Sequence, residues 1–208
     1  CEGDLYGNSK KKIIVPDGSF HAYRRASQWG NCIIQTETPT EVNVTVGTPG
    51  ELGRLAIDQA GYLQEINSLT VAGELNSDDW NTIKNMTNLL SVDMEGVLNT
   101  SIPNEQFRNK WAIDYIALPK NTVSVGNYAF YGIESLASVK MPNTLETINQ
   151  NAFDGTKALR SIDLPESLKS IEYAAFENSG LDEVTIPSGV TVINSYTFQN
   201  CANLTNLQ

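Results

Sequence analysis

Histidine is almost absent from this chain: His21 stands alone among 208 residues. Any Ser-His-Asp or Cys-His arrangement would hang on that one side chain, and neither Cys32 nor any serine has a motif context around it. Cysteine is scarce too. Cys1, Cys32 and Cys201 are far apart, odd in number and form no CxxC pair, which excludes zinc-ribbon and dithiol redox readings. No apolar run approaches the ~20 residues of a membrane-spanning helix. There is no HExxH, no P-loop, no GxGxxG and no DxDxDG loop; "GTPGELG" has the wrong spacing. Positive charge is short as well, with 14 Lys and Arg against 24 Asp and Glu. Five of the cations (Lys10, Lys11, Lys12, Arg24, Arg25) lie in the first 25 residues, facing only Glu2, Asp4 and Asp17. The other 183 residues hold 9 cations against 21 anions, a balance of −12. Such a surface repels phosphate backbones and anionic membrane faces, which argues against nucleic acid as a partner.

What the chain has is repetition. "IALPKNTVSVGNYAF", "VKMPNTLETINQNAF", "IDLPESLKSIEYAAF" and "VTIPSGVTVINSYTF" align beneath one another. Pro119, Pro142, Pro165 and Pro187 are spaced 23, 23 and 22 residues apart, and Phe130, Phe153, Phe176 and Phe198 repeat those spacings. A fixed period in the 20s is the signature of a solenoid. Each unit opens with an apolar residue, another three on and a third two beyond, as in Leu136/Val139/Met141, Leu159/Ile162/Leu164 and Leu181/Val184/Ile186. The same form runs back through Ile113/Ile116/Leu118 and Leu89/Val92/Met94 to Ile66/Leu69/Val71. The last two members lie on one side of a strand, and that side faces inward. The proline that follows ends the strand because it cannot donate a ladder bond. Leu145/Ile148, Leu168/Ile171 and Val190/Ile193 then point to the same core from the opposite wall, and the phenylalanine plugs the turn. Cys201, at a recurring position, is expected to be a small buried residue.

The early units differ in their second halves. Asn76-Ser77-Asp78-Asp79-Trp80 reads as a helix start with Trp80, Ile83 and Met86 on one face. Upstream, "VNVTV" alternates as a strand. Thr48, Pro49 and Glu51 read as an N-cap, first helical residue and capping box, Leu52, Leu55 and Ala56 give that helix an apolar side, and Gly61 closes it. The fold class is therefore an α/β repeat, a solenoid of short parallel strands with helical connectors early and more irregular connectors later. Its domains are expected as 1–35, the C-terminal cap of a preceding array; 36–41, a polar linker; 42–65, an N-terminal cap; and 66–208, the repeats, incomplete at the C-terminus. Within 1–35, strands are expected in "KKIIVP" and "CIIQ", with a short helix from Ser19 between them.

The stretch "SLASVKMPNTLETINQNAFDGTKALRSIDLP" resembles the BspA-like leucine-rich repeats of bacterial surface proteins, closely over 111–208. Ala129, Ala152 and Ala175 precede the phenylalanine as in that family, and Thr197 departs from it. "IIVPDGSFHAYRRASQWGN" is similar to the family's array-closing segment, which together with the ending at "CANLTNLQ" points to a fragment of a longer chain. The resemblance implies an extracellular or cell-surface location and adhesion or ligand binding without catalysis. Cys1 has two readings, a mature outer-membrane lipoprotein terminus carrying a lipid anchor or an internal residue of a longer chain; the second is preferred.

No enzyme activity, metal or cofactor is expected. Asp78-Asp79 is the most visible carboxylate pair and could serve a hydrolase, but acids at a helix start suit the helix dipole. The N-x-S/T triplets at Asn43, Asn85, Asn99 and Asn203 are those expected by chance in an Asn- and Thr-rich chain. Recognition of a protein or glycan falls to the strand-lined face. Thr70, Asp93, Ala117, Lys140, Asp163 and Thr185 should point outward there, flanked by Ser68, Ser91, Tyr115, Ser138, Ser161 and Glu183. Tyr115, Lys140, Asp163 and Glu183 are the candidate ligand-binding residues, with Tyr115 the aromatic anchor. A structural spacer within a larger surface protein is the alternative role.

Overall fold

The computed structural model describes residues 12–15, 33–36 and 40–208. Of the expected cap at 1–35, only two short strands are described, β1 (Lys12–Val15) and β2 (Ile33–Thr36), which pair in parallel. Cys1, His21 and Cys32 lie outside the described residues.

Beyond them the chain winds as a coil with two parallel sheets around one apolar core. The broad sheet has the order β3 (Thr40–Val46), β4 (Ile66–Gly73), β5 (Ser91–Val97), β7 (Tyr115–Ala117), β9 (Ser138–Lys140). Its register sets Leu69, Val92, Ile116 and Val139 side by side, the middle members of the sequence triplets. Thr40 and Glu41, assigned to a linker by their polarity, belong to β3, because they pair with Ile66 and Ser68. Gly73 is demanded by its place: a Cβ there would sit 2.2 Å from the Val46 carbonyl oxygen, at a φ of +101°.

The later connectors are more regular than expected. They hold a second parallel sheet, β6 (Ser101–Ile102), β8 (Ser124–Val125), β10 (Thr147–Ile148) and β11 (Ser170–Ile171), extended by a bridge from Ile171 to Ile193. Between the sheets, Phe107, Phe130, Phe153, Phe176 and Phe198 stack with ring centroids 5.6, 4.9, 5.3 and 5.6 Å apart. Phe107 extends the ladder one unit earlier than the proline-marked repeats indicate. Each turn is tied to the next: the amides of Phe107, Phe130 and Phe153 donate to Ala129, Ala152 and Ala175, each at 2.8 Å.

The helices sit in the early units, as expected, but one starts differently. α1 (Leu52–Ala60) is capped at Glu51, with no side-chain cap of its own; Thr48 is not its N-cap. Gly50, at φ +100°, breaks the turn before it. The missing acceptor comes from the next unit, where Asp79 takes the amides of Gly50 at 2.6 Å and Leu52 at 2.9 Å. Asp79 belongs to α2 (Ser77–Asn85), whose N-cap is Asn76 in a complete capping box. Trp80, Ile83 and Met86 are buried as their spacing predicts.

Two departures are local. Residues 161–164 form no strand, so the broad sheet lapses after β9 and resumes as the pair β12 (Glu183–Val184) and β13 (Asn206–Leu207). Ile162 is still buried, so apolar packing carries that unit where the ladder does not. Cys201, expected to be buried, is only half-buried in this structure; its Sγ is 3.1 Å from the Phe176 carbonyl oxygen and 3.1 Å from the Ser179 hydroxyl.

One cation is held inside the turns. Lys110 occupies the place filled by Ile133, Thr156 and Ser179 in later units, and its Nζ donates to the Met86 carbonyl at 2.7 Å. Burial, helped by the charge of Lys84, brings its pKa from 10.5 down to about 8. A depressed lysine pKa means the folded state holds fewer protons than the unfolded one between pH 8 and 10.5. Stability should therefore rise with pH across that window, by at most about 3 kcal/mol. Urea unfolding of the wild type and of Lys110→Met at pH 7.5 and 10 checks this: the gain should be confined to the wild type, and equal pH slopes would sink the assignment.

Candidate functional site

The exposed side of the broad sheet is built by alternation. Val92, Ile116 and Val139 point into the core, so their strand neighbours face out. Ser91, Tyr115 and Ser138 form one cross-strand row, and Asp93, Ala117 and Lys140 the next. Ser91 Oγ donates to Ser68 Oγ at 2.9 Å, extending the first row onto β4. Tyr115 is half-buried at the centre of this surface.

Lys140 pairs with Glu95, with Nζ 2.7 Å from Oε1. Glu95 was not among the sequence candidates. Extending the outward alternation of β5 two residues past Asp93 would have found it. The hydrogen bond from Lys140 lowers the Glu95 pKa, and the same bond raises that of Lys140, with Tyr115 and Asp93 adding smaller favourable fields. Because β5 and β9 flank β7, this ion pair spans the strand between them. Ala117, expected to point outward and be exposed, is instead fully buried, because its methyl group lies on the strand that the pair crosses. An exposed pair of this kind adds little stability. What it provides is a fixed arrangement of charge beside an aromatic ring.

Asp163 and Glu183 lie apart from that cluster. With Ser161 and Thr185 they line a small hollow of about 190 Å³ where the sheet has lapsed. The four candidate residues thus fall into two groups: Tyr115 with Lys140 on continuous sheet, and Asp163 with Glu183 beyond the break. Among the described residues, no three His, Cys, Asp or Glu side chains are grouped to hold a metal ion. None of the described helices is long and apolar enough to cross a membrane. Asp79, half of the conspicuous carboxylate pair, is fully buried and committed to backbone amides, while Asp78 is exposed on the outside of α2.

A family model described as BspA type leucine-rich repeat region matches residues 100–208 in six copies. It starts eleven residues before the stretch 111–208 that carries the close resemblance, and it takes in the Phe107 unit. A leucine-rich repeat protein from Bacteroides ovatus is similar at 31% identity and a TM-score of 0.55, over 57% of this chain and 33% of its own. The leucine-rich repeat protein of T. pallidum is similar at 27% identity and a TM-score of 0.54, over 57% of each chain. One from Eubacterium ventriosum shares the fold at 22% identity and a TM-score of 0.57, over 68% of this chain and 39% of its own. The matched regions span between a third and just over half of these solved relatives. No curated protein sequence matches the chain.

Proposed function

The chain belongs to the BspA-type leucine-rich repeat family, and from that premise we propose that it is a non-catalytic recognition module of a secreted or surface-held bacterial protein, binding a protein partner through the broad sheet. The observation that carries this reading is the flat row around Tyr115. It sets an aromatic ring beside a spanning Lys140–Glu95 pair, with Asp93, Ala117 and the hydroxyl side chains of Ser68, Ser91 and Ser138 around it. Large aromatics ringed by small polar groups are the usual energetic centres of protein interfaces. A rigid repeat array presents such a centre without an ordering cost on binding. Family membership supports a location outside the cell or on its surface, and the acidic balance supports partners other than nucleic acid.

The test is a protein array probed with the purified chain, followed by titration of each binder. Tyr115→Ala combined with Lys140→Glu should weaken binding at least tenfold while leaving the circular dichroism spectrum and melting curve in place. A binder that the double variant holds at wild-type strength would show that recognition lies elsewhere.

A further inference from the structure

A concave surface lies away from the broad sheet, in the segment between each phenylalanine turn and the following strand. It arises from a backbone requirement. The second residue after each ladder phenylalanine adopts a positive φ: Asn109 at 59°, Gly132 at 70°, Gly155 at 78°, Asn178 at 54° and Asn200 at 59°. Asparagine and glycine are the residues that accept this conformation readily. In the two middle units the choice is glycine, so the side chains vanish there. A Cβ on Gly132 would sit 2.6 Å from the Asn109 Oδ1, and one on Gly155 would meet the Gly132 backbone at 3.4 Å. The result is a trough of about 570 Å³ with Gly132 and Gly155 as floor, Asn109 and Asn178 at its ends and Trp111 and Tyr131 among its walls. That volume is in the ~300–1,000 Å³ range of small-ligand sites. Three repeat steps separate its ends, about 14 Å at ordinary strand spacing.

The walls are preorganised. Tyr131 is held edge-on by Tyr128 with ring centroids 5.7 Å apart, and the Arg108 guanidinium lies 5.1 Å from its ring centre. Arg108 is itself tied to Glu105 at 2.7 Å. Asp154 lines the trough and is buried, with Oδ1 accepting from Asn178 at 2.9 Å and Oδ2 from Asn151 at 2.9 Å. Two amides leave an ionised carboxylate with further lone pairs, so Asp154 is a fixed acceptor. The other charges of the lining, Glu134 and Lys157, pair with each other at 2.8 Å, so Asp154 leaves the trough with one net negative charge that disfavours phosphate and carboxylate ligands.

We propose that this trough binds a neutral oligosaccharide. The ring faces of a sugar are apolar and its rim is a row of hydroxyls. Aromatic walls suit the first, and a fixed carboxylate flanked by primary amides suits the second, because together they offer acceptors and donors to adjacent hydroxyls. The glycine floor lets the ring approach the backbone. The site is independent of the protein-binding face proposed above.

Isothermal titration of the full chain with maltotriose, cellotriose, xylotriose and N,N′,N″-triacetylchitotriose, guided by a glycan array, tests this. At least one neutral glycan should bind, Tyr131→Ala should weaken it at least tenfold with melting unchanged, and Tyr115→Ala should leave it intact. If Tyr131→Ala melts early, Trp111→Phe takes its place, and it should both weaken binding and abolish the ligand-induced change in tryptophan fluorescence. The proposal is overturned if no neutral glycan binds, if the array yields only anionic glycans, or if binding survives both trough variants or falls with Tyr115→Ala.

Discussion

Phe153→Ala should cost about 3–5 kcal/mol. Phe153 is fully buried and lies between two rings, 4.9 Å from Phe130 and 5.3 Å from Phe176. Removing it leaves a void in its own unit and takes a stacking partner from both neighbours. A repeat array is held by nearest-neighbour contacts, so a break at the centre weakens two interfaces together. Phe198→Ala is the internal control. That ring touches one ladder neighbour, Phe176 at 5.6 Å, and is only partly buried, so its loss should be well under half as large. Urea unfolding followed by circular dichroism measures both, and equal losses at the two positions would show that the ladder is not a coupled stack. A lowered m-value for Phe153→Ala would mark separate unfolding of the two halves.

Asp79→Ala should approach the same size, at about 3–5 kcal/mol, for an electrostatic reason. The carboxylate is fully buried and accepts three backbone amides: Gly50 at 2.6 Å, Leu52 at 2.9 Å and Asn76 at 3.0 Å. Alanine would leave all three donors unsatisfied at the starts of two helices. Asp79→Asn should be intermediate, because its amide keeps one acceptor oxygen while its NH2 faces donors. Asp78→Ala, on the exposed side of the same turn, should change stability by less than about 1 kcal/mol. Thermal melts of the three variants rank these effects. A mild Asp79→Ala would mean that α1 does not depend on its neighbour for a cap.

How far the sequence foretells this arrangement varies by element. The inward triplets predict the broad-sheet register because their spacing is that of a buried strand face and the packing enforces it. Phe107 is hidden because its unit reads "EQF" where the next three units have alanine before phenylalanine, although it lies 23 residues before Phe130. The cap of α1 is not local and so leaves no local pattern. Thr48, Pro49 and Glu51 mimic one, but the acceptor is 27 residues away in sequence from Leu52. Similarly, Ala117 looks outward by alternation, and only the positions of Glu95 and Lys140 explain why it is covered. The trough was within reach of an alignment of the units, since Asn, Gly, Gly, Asn and Asn recur two places after each phenylalanine. Its aromatic wall was not, because Trp111 and Tyr131 belong to different units.

The backbone bonds of the turn column all share one direction. In each turn, alternate amides donate forward to the following unit: Glu105, Phe107 and Asn109 reach Asn127, Ala129 and Tyr131, and Asn151, Phe153 and Gly155 reach Tyr173, Ala175 and Glu177. Within that column the peptide dipoles therefore point the same way. The strand-edge amides run the other way, with Gly126, Asn149 and Glu172 donating back to Ile102, Val125 and Ile148 of the preceding unit. Each unit is thus tied to the one after it through its turn and to the one before it through its strand edges, so no single wall of the coil carries the whole link between neighbours.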